Sequence, residues 1–190
     1  MSGLATPSGA VLAHLVTTGL GPFYDGVLHF LQTPQDGLPV LALALFAGLR
    51  GAPAGRAVLF LLPAAWLAGG LAGLGLHAAI GPAAPTGTLL LCGLLVAVDA
   101  RLPLAATVIL AGGVGFVHGL ENADGGMASV QAGALELIGI AAAVFVVSAL
   151  ASAFVVSLRA SWARIAIRVA GSWMAAIGLL LVGWSLRGVK

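Results

Sequence analysis

The chain has 190 residues, 61% of them hydrophobic and only 7% charged, with a formal net charge of +2 and a mean hydropathy of +1.13. Soluble domains carry roughly 25% charged residues, so this composition excludes a water-soluble globular protein. The eight Lys and Arg are too few and too scattered for a nucleic-acid surface.

Residues 1–13 read as a leader remnant. Val11-Leu12-Ala13 has the small residues at alternate positions that signal peptidases favour, and cleavage there would leave His14 first, although no basic segment precedes it. The stretch Phe23 to Phe30 then suits a short helix that stacks Asp25 and His29, four residues apart, on one face. Six apolar runs follow, at about residues 37–51, 57–80, 86–99, 102–120, 130–158 and 165–186, each read as a bilayer-crossing helix. The first and third are short and begin near prolines (Pro34 and Pro39; Pro82 and Pro85), which implies broken or partly re-entrant geometry there. The fifth is long enough to tilt. No polar stretch is long enough for an interdomain linker, so residues 1–190 form one all-α transmembrane bundle of about six spans. The 28 glycines include Gly69 with Gly73 and Gly115 with Gly119, spacings that let helix backbones approach closely.

The charges divide between the two ends of these runs. Arg50, Arg56, Arg101, Arg159, Arg164 and Arg168 fall at one end; residues 1–36, 81–85 and 121–129 at the other contain no Lys or Arg. The positive-inside rule then places the N-terminus outside and the Arg-bearing loops in the cytoplasm, with Arg187 and Lys190 dissenting. On the inferred outer side lie His14, Asp25, His29, Asp36, His77, His118, Glu121 and Asp124, with Glu136 about two turns into the fifth run.

Imidazole nitrogen and carboxylate oxygen together suit a borderline divalent transition metal, and the helical pairs Asp25/His29 and His118/Glu121 could supply four ligands. The alternative for Asp25 and His29 is a helix cap and an interfacial histidine bonded to a carbonyl. His77, Asp36, Asp124 and Glu136 are read as supporting or pathway residues, and the tryptophans as packing and belt residues. One cysteine, Cys92, rules out a disulfide framework, and the scarcity of thiolate and thioether argues against copper(I). No phosphate-binding glycine loop is present, so no bound nucleotide drives transport, and no cofactor is required.

The segments His14-Leu-Val-Thr-Thr-Gly-Leu-Gly-Pro-Phe-Tyr-Asp25-Gly-Val-Leu-His29-Phe and Gly115-Phe-Val-His118-Gly-Leu-Glu121-Asn122 resemble the HupE/UreJ family of small bacterial membrane proteins. That family is encoded beside nickel hydrogenase and urease systems, and its members are regarded as nickel, sometimes cobalt, permeases. The resemblance implies a first metal-binding group of His14, Asp25 and His29 and a second of His118 and Glu121. His14 enters only through it. The chain departs from the family pattern: three residues separate Asp25 from His29, Val117 separates Phe116 from His118, and a second histidine after His118 is missing, as in a divergent branch.

The expected function is a permease carrying a divalent metal, nickel first, with cobalt, zinc or copper(II) as further candidates, from the periplasm toward the cytoplasm. The partners would be the bilayer, the ion, a second copy of the chain and a nickel-enzyme maturation system, with no nucleic acid. Two other classes stay open: a metal-binding delivery subunit without transport, and an intramembrane metalloenzyme with His118, Glu121 and an outer histidine on zinc and Glu136 as base. No His-Glu-x-x-His pattern supports the enzyme.

The charge asymmetry makes a direct prediction. A cysteine placed in the 81–85 loop should react with impermeant thiol reagent from the periplasmic side, and one beside Arg101 should not; the reverse labelling would invert the orientation.

Overall fold

The computed structural model describes residues 18–76, 83–123 and 130–187. Every regular element among them is helical: α1 (Pro22–Gln32), α2 (Pro34–Arg50), α3 (Ala52–Leu76), α4 (Ala83–Ala97), α5 (Leu104–Asn122), α6 (Val130–Ser157) and α7 (Ser161–Arg187). The all-α bundle expected from composition is the fold. The leader reading of residues 1–13 lies outside the described residues.

Four helices, α3, α5, α6 and α7, are long and apolar enough to cross a membrane. The expected count of about six spans is therefore not exact among the described residues. α2 has 17 residues, and at 1.5 Å per residue it reaches only about 26 Å; the described part of α4 has 15 residues. A short α2 is tolerated because protein surrounds it: every residue from Ala42 to Leu49 is buried, against α3, α4 and α6. Helices that are apolar all round belong in such a core.

The N-terminal break has a local cause. Proline cannot donate to the preceding turn and pushes the residue before it out of the helical region, so Thr33, ahead of Pro34, is extended at φ −102° and ψ 92°. Its hydroxyl donates to the His29 carbonyl at 2.7 Å, which closes α1. The first apolar run was expected to begin after Asp36, on the premise that a charge marks a boundary; α2 instead begins at Pro34 and carries Asp36 in its first turn. A carboxylate at a helix N-terminus meets the positive end of the helix dipole, so α2 accommodates it. Likewise α5 runs on to Asn122 and so contains Glu121.

Glycine sets the helix pairings. The spaced pairs on α3 and α5 pack against one another: Gly69 lies on the backbone of Phe116, Gly73 beside Leu120 and Ala123, Gly115 on Leu62 and Gly119 on the Trp66 carbonyl. α1 docks on α6 the same way, through Gly26 against the Glu136 carbonyl and Gly139 against that of Phe23. α4 lies along α7, with Gly93 on Ala175 and Gly178 on Leu90. Without a hydrophobic driving force inside lipid, this close van der Waals packing is what brings the helices together. Large apolar side chains face outward instead, among them Ile109, Leu150, Leu180 and Trp173, and Trp162 and Trp184 join them, whereas Trp66 is wholly buried.

The arginine-bearing end is held by one carboxylate. α4 finishes in a turn in which the Ala100 N–H bonds the Leu95 carbonyl and the Asp99 N–H bonds that of Val96, with Asp99 at φ 52°. This left-handed position usually takes glycine, and aspartate is among the few other residues it admits at modest strain. Its side chain accepts from Arg50 of α2 and from Arg164 Nε of α7 at 2.8 Å, joining three elements. The Arg164 hydrogen bonds above all, reinforced by the charges of Arg164, Arg50 and Arg168, keep the Asp99 carboxyl below the usual carboxylate range despite partial burial.

Gly119→Ala should destabilise the protein by about 1–3 kcal/mol, since its Cβ would collide with the Trp66 carbonyl and force α3 and α5 apart. Gly113→Ala on the same helix meets nothing within 4 Å and should leave the unfolding midpoint in detergent unchanged. Equal midpoints for the two variants would show that the α3–α5 contact is not limiting.

Candidate functional site

At the end of the bundle opposite Asp99, three helices bring polar side chains to one place and a fourth closes it. Asp36 comes from the first turn of α2, His118 and Glu121 from the last turns of α5, Thr88 from α4, and Trp66 of α3 closes one side. His118 is fully buried and Asp36 only 3% exposed, which makes them the costliest groups in the core. His118 Nδ1 lies 2.7 Å from Asp36 Oδ1, and its Nε2 lies 2.8 Å from Thr88 Oγ1. The Thr88 hydroxyl is also 2.6 Å from the Pro85 carbonyl. Trp66 stacks on the imidazole at 5.2 Å between ring centroids and 26° between planes, and Phe30 meets Trp66 edge-on at 6.0 Å. Both ring nitrogens and one ring face of His118 are therefore fixed.

One ligand atom from each of Asp36, His118 and Glu121 lies within 4.8 Å of the others. A divalent transition metal holds nitrogen and oxygen at roughly 2.0–2.2 Å, so atoms on opposite sides of an ion are about 4.2 Å apart. Only one pair of the three can lie on opposite sides of an ion, so the side chains would have to draw together for all three to share one ion. Two carboxylates and an imidazole match the charge and softness of nickel, cobalt or zinc, and the remaining positions would be left to water or a fourth side chain.

Asn122, the last residue of α5, ties this cluster to α1. Its Nδ2 donates to Asp36 Oδ2 at 3.0 Å and to the His118 carbonyl at 2.9 Å, both of which can only accept. That fixes the amide orientation, so Oδ1 faces His29 Nε2 at 3.0 Å and accepts its proton. The neutral His29 ring then keeps its lone pair on Nδ1. Glu136 of α6 is half-buried, and its carboxylate is within electrostatic reach of His29 and Asp25.

The residues expected from sequence thus fall into separate places. His118 and Glu121 meet as the helical spacing required, and Asp36, expected only in support, completes their cluster. His29 reaches the cluster through Asn122. Asp25, one turn before His29 on α1, instead accepts from the Thr18 hydroxyl at 2.6 Å and the Thr18 N–H at 2.5 Å, and these two bonds, the hydroxyl's foremost, hold its carboxyl below the usual range. His14, His77 and Asp124 lie outside the described residues. Trp66, Thr88 and Asn122 were not anticipated as site residues. Only Asn122 had a signal, its place one residue after Glu121 in the motif.

A family description, HupE / UreJ protein, matches residues 3–181. The chain belongs to the HupE/UreJ family. That family is associated with nickel or cobalt transport or with accessory roles, and with the apolar helices it marks a multi-pass membrane protein. No curated protein and no solved structure matches the chain.

Asn122→Leu keeps the branched shape but leaves Asp36 Oδ2 without its donor. It should lower stability by about 1–3 kcal/mol, the cost of an unsatisfied buried acceptor. Thermal unfolding of the purified protein checks this, and a midpoint equal to the parent's would show that Asp36 finds another donor.

Proposed function

We propose that this HupE/UreJ protein is an inner-membrane permease for a divalent transition metal, nickel foremost and cobalt next, moving the ion from the periplasm toward the cytoplasm. The observation that carries the reading is the buried convergence of Asp36, His118 and Glu121 at the end away from the arginines. Buried ionisable side chains in a membrane bundle mark ion pathways more often than scaffold, because hydrocarbon makes them expensive to keep for packing alone. The positive-inside rule puts this end outside.

In this reading His29 and Glu136, nearer the surface on α1 and α6, present the ion to the cluster. Asp36 and Glu121 balance its charge, and His118 supplies the nitrogen that favours a transition metal over magnesium or calcium. The ion must replace the proton that joins His118 to Asp36, so acidification should compete with binding. Below the cluster, fully buried Trp66, Leu62 and Val58 separate it from the arginine-bearing end, so release inward requires α3 to move relative to α5. That seal gives the delivery-subunit reading its own support, since a site closed from below can bind without transporting.

His118→Ala and Asp36→Asn should each weaken nickel binding at least about tenfold, equivalent to 1.4 kcal/mol, in calorimetric titration of the folded protein. Proteoliposomes of the parent should accumulate radioactive nickel beyond one ion per chain. Accumulation that stops at stoichiometric metal would make the protein a binder, and unchanged affinity in both variants would make the cluster scaffold.

A further inference from the structure

The arginine-bearing end contains a cavity that metal handling does not use. It measures about 430 Å³ and opens between the C-terminus of α2, the start of α3 and the α4–α5 turn, with Arg50, Ala54, Arg101, Leu102 and Thr107 among its walls. Six arginines gather at this end of the bundle against one acid, Asp99. Asp99 is shared by Arg50 and Arg164, and Arg101 has no hydrogen-bond or ion-pair partner among the described residues. α5 begins at the cavity wall with Leu104, after Pro103, and no side chain caps its N-terminus. The first N–H groups of a helix have no partner inside it, and the helix dipole adds partial positive charge there.

These features select the ligand's chemistry. A cation would be repelled, and a neutral molecule would leave the Arg101 charge unbalanced. A phosphate group accepts from guanidinium N–H and helix N–H donors at once, with geometry that suits both. The apolar walls, Ala54, Pro53 and Leu102, suit the carbon skeleton attached to it. Basic pockets between membrane helices at the level of the headgroups meet such phosphates in anionic lipids.

We infer that the cavity bounded by Arg50, Arg101 and the start of α5 is a phosphate-binding site. The phosphate is that of an anionic phospholipid or free inorganic phosphate, two sources with the same recognition chemistry. The site is separate from the Asp36 cluster, so it stands or falls independently of the transport reading.

The test uses the full chain, delipidated in neutral detergent, and follows its thermal midpoint. Phosphatidylglycerol should raise the midpoint and phosphatidylcholine should not. In Arg101→Gln, an exposed and unpaired position whose loss should not impair folding, the phosphatidylglycerol needed for half the effect should rise about tenfold, the scale of a lost charge-assisted hydrogen bond. Arg56→Gln removes an equal charge from an exposed position that is not part of the cavity wall and should titrate like the parent. A parallel arm adds inorganic phosphate without lipid: stabilisation that Arg101→Gln weakens identifies free phosphate as the occupant, and stabilisation by phosphatidylglycerol alone identifies the lipid headgroup. The inference is overturned if neither ligand shifts the parent, if Arg101→Gln titrates like the parent, or if Arg56→Gln is weakened as much as Arg101→Gln.

Discussion

A carboxylate buried in a membrane bundle has to be paired, and Asp36 imposes that constraint on this structure. Leaving an ionised group unpaired in low dielectric costs several kcal/mol, more than any single packing contact returns. The bundle meets the cost from both sides of the group. The N-terminus of α2 lies under the carboxylate, and His118 and Asn122 reach it from α5. Because both partners lie in the last turns of α5, that helix must end level with the first turn of α2. The glycine seam between α3 and α5 then places Trp66 against the His118 ring.

The two ends of the molecule solve the same electrostatic problem with different side chains. At one end Asp36 is answered mainly by a histidine and an amide, groups that a metal ion can displace or join. At the other, Asp99 is answered by arginines, whose charge cannot be removed and whose planar forks hold the carboxylate firmly. The first arrangement suits a site that exchanges ligands. The second suits a clamp, and it joins α2, the α4–α5 turn and α7.

Small residues link these electrostatics to the fold. Gly26 lets α1 lie on the backbone of Glu136, so His29 and Glu136 approach from neighbouring helices although 107 positions separate them in the sequence. Gly119, immediately after His118, keeps α5 against α3. Glycine in a helix costs about 1 kcal/mol of propensity in water, and the gain here is interhelical contact that no larger side chain would allow.

The sequence by itself determined the membrane class, the helical content, the division of acids and histidines from arginines, and the glycine pairs that share a face within α3 and within α5. Each is a local property: hydropathy over about 20 residues, or spacing of three or four within one helix. It also paired His118 with Glu121, which share a helix face. It placed Asp36 outside the first apolar helix, because a charge in the sequence reads as a boundary until its partner is known. Only the tertiary structure joined Asp36 to His118, 82 positions away, and set Asn122 between Asp36 and His29. Periodicity along one helix says which side chains share a face, but not which face of another helix they will meet. That is decided when the bundle packs and each buried polar group finds its partner.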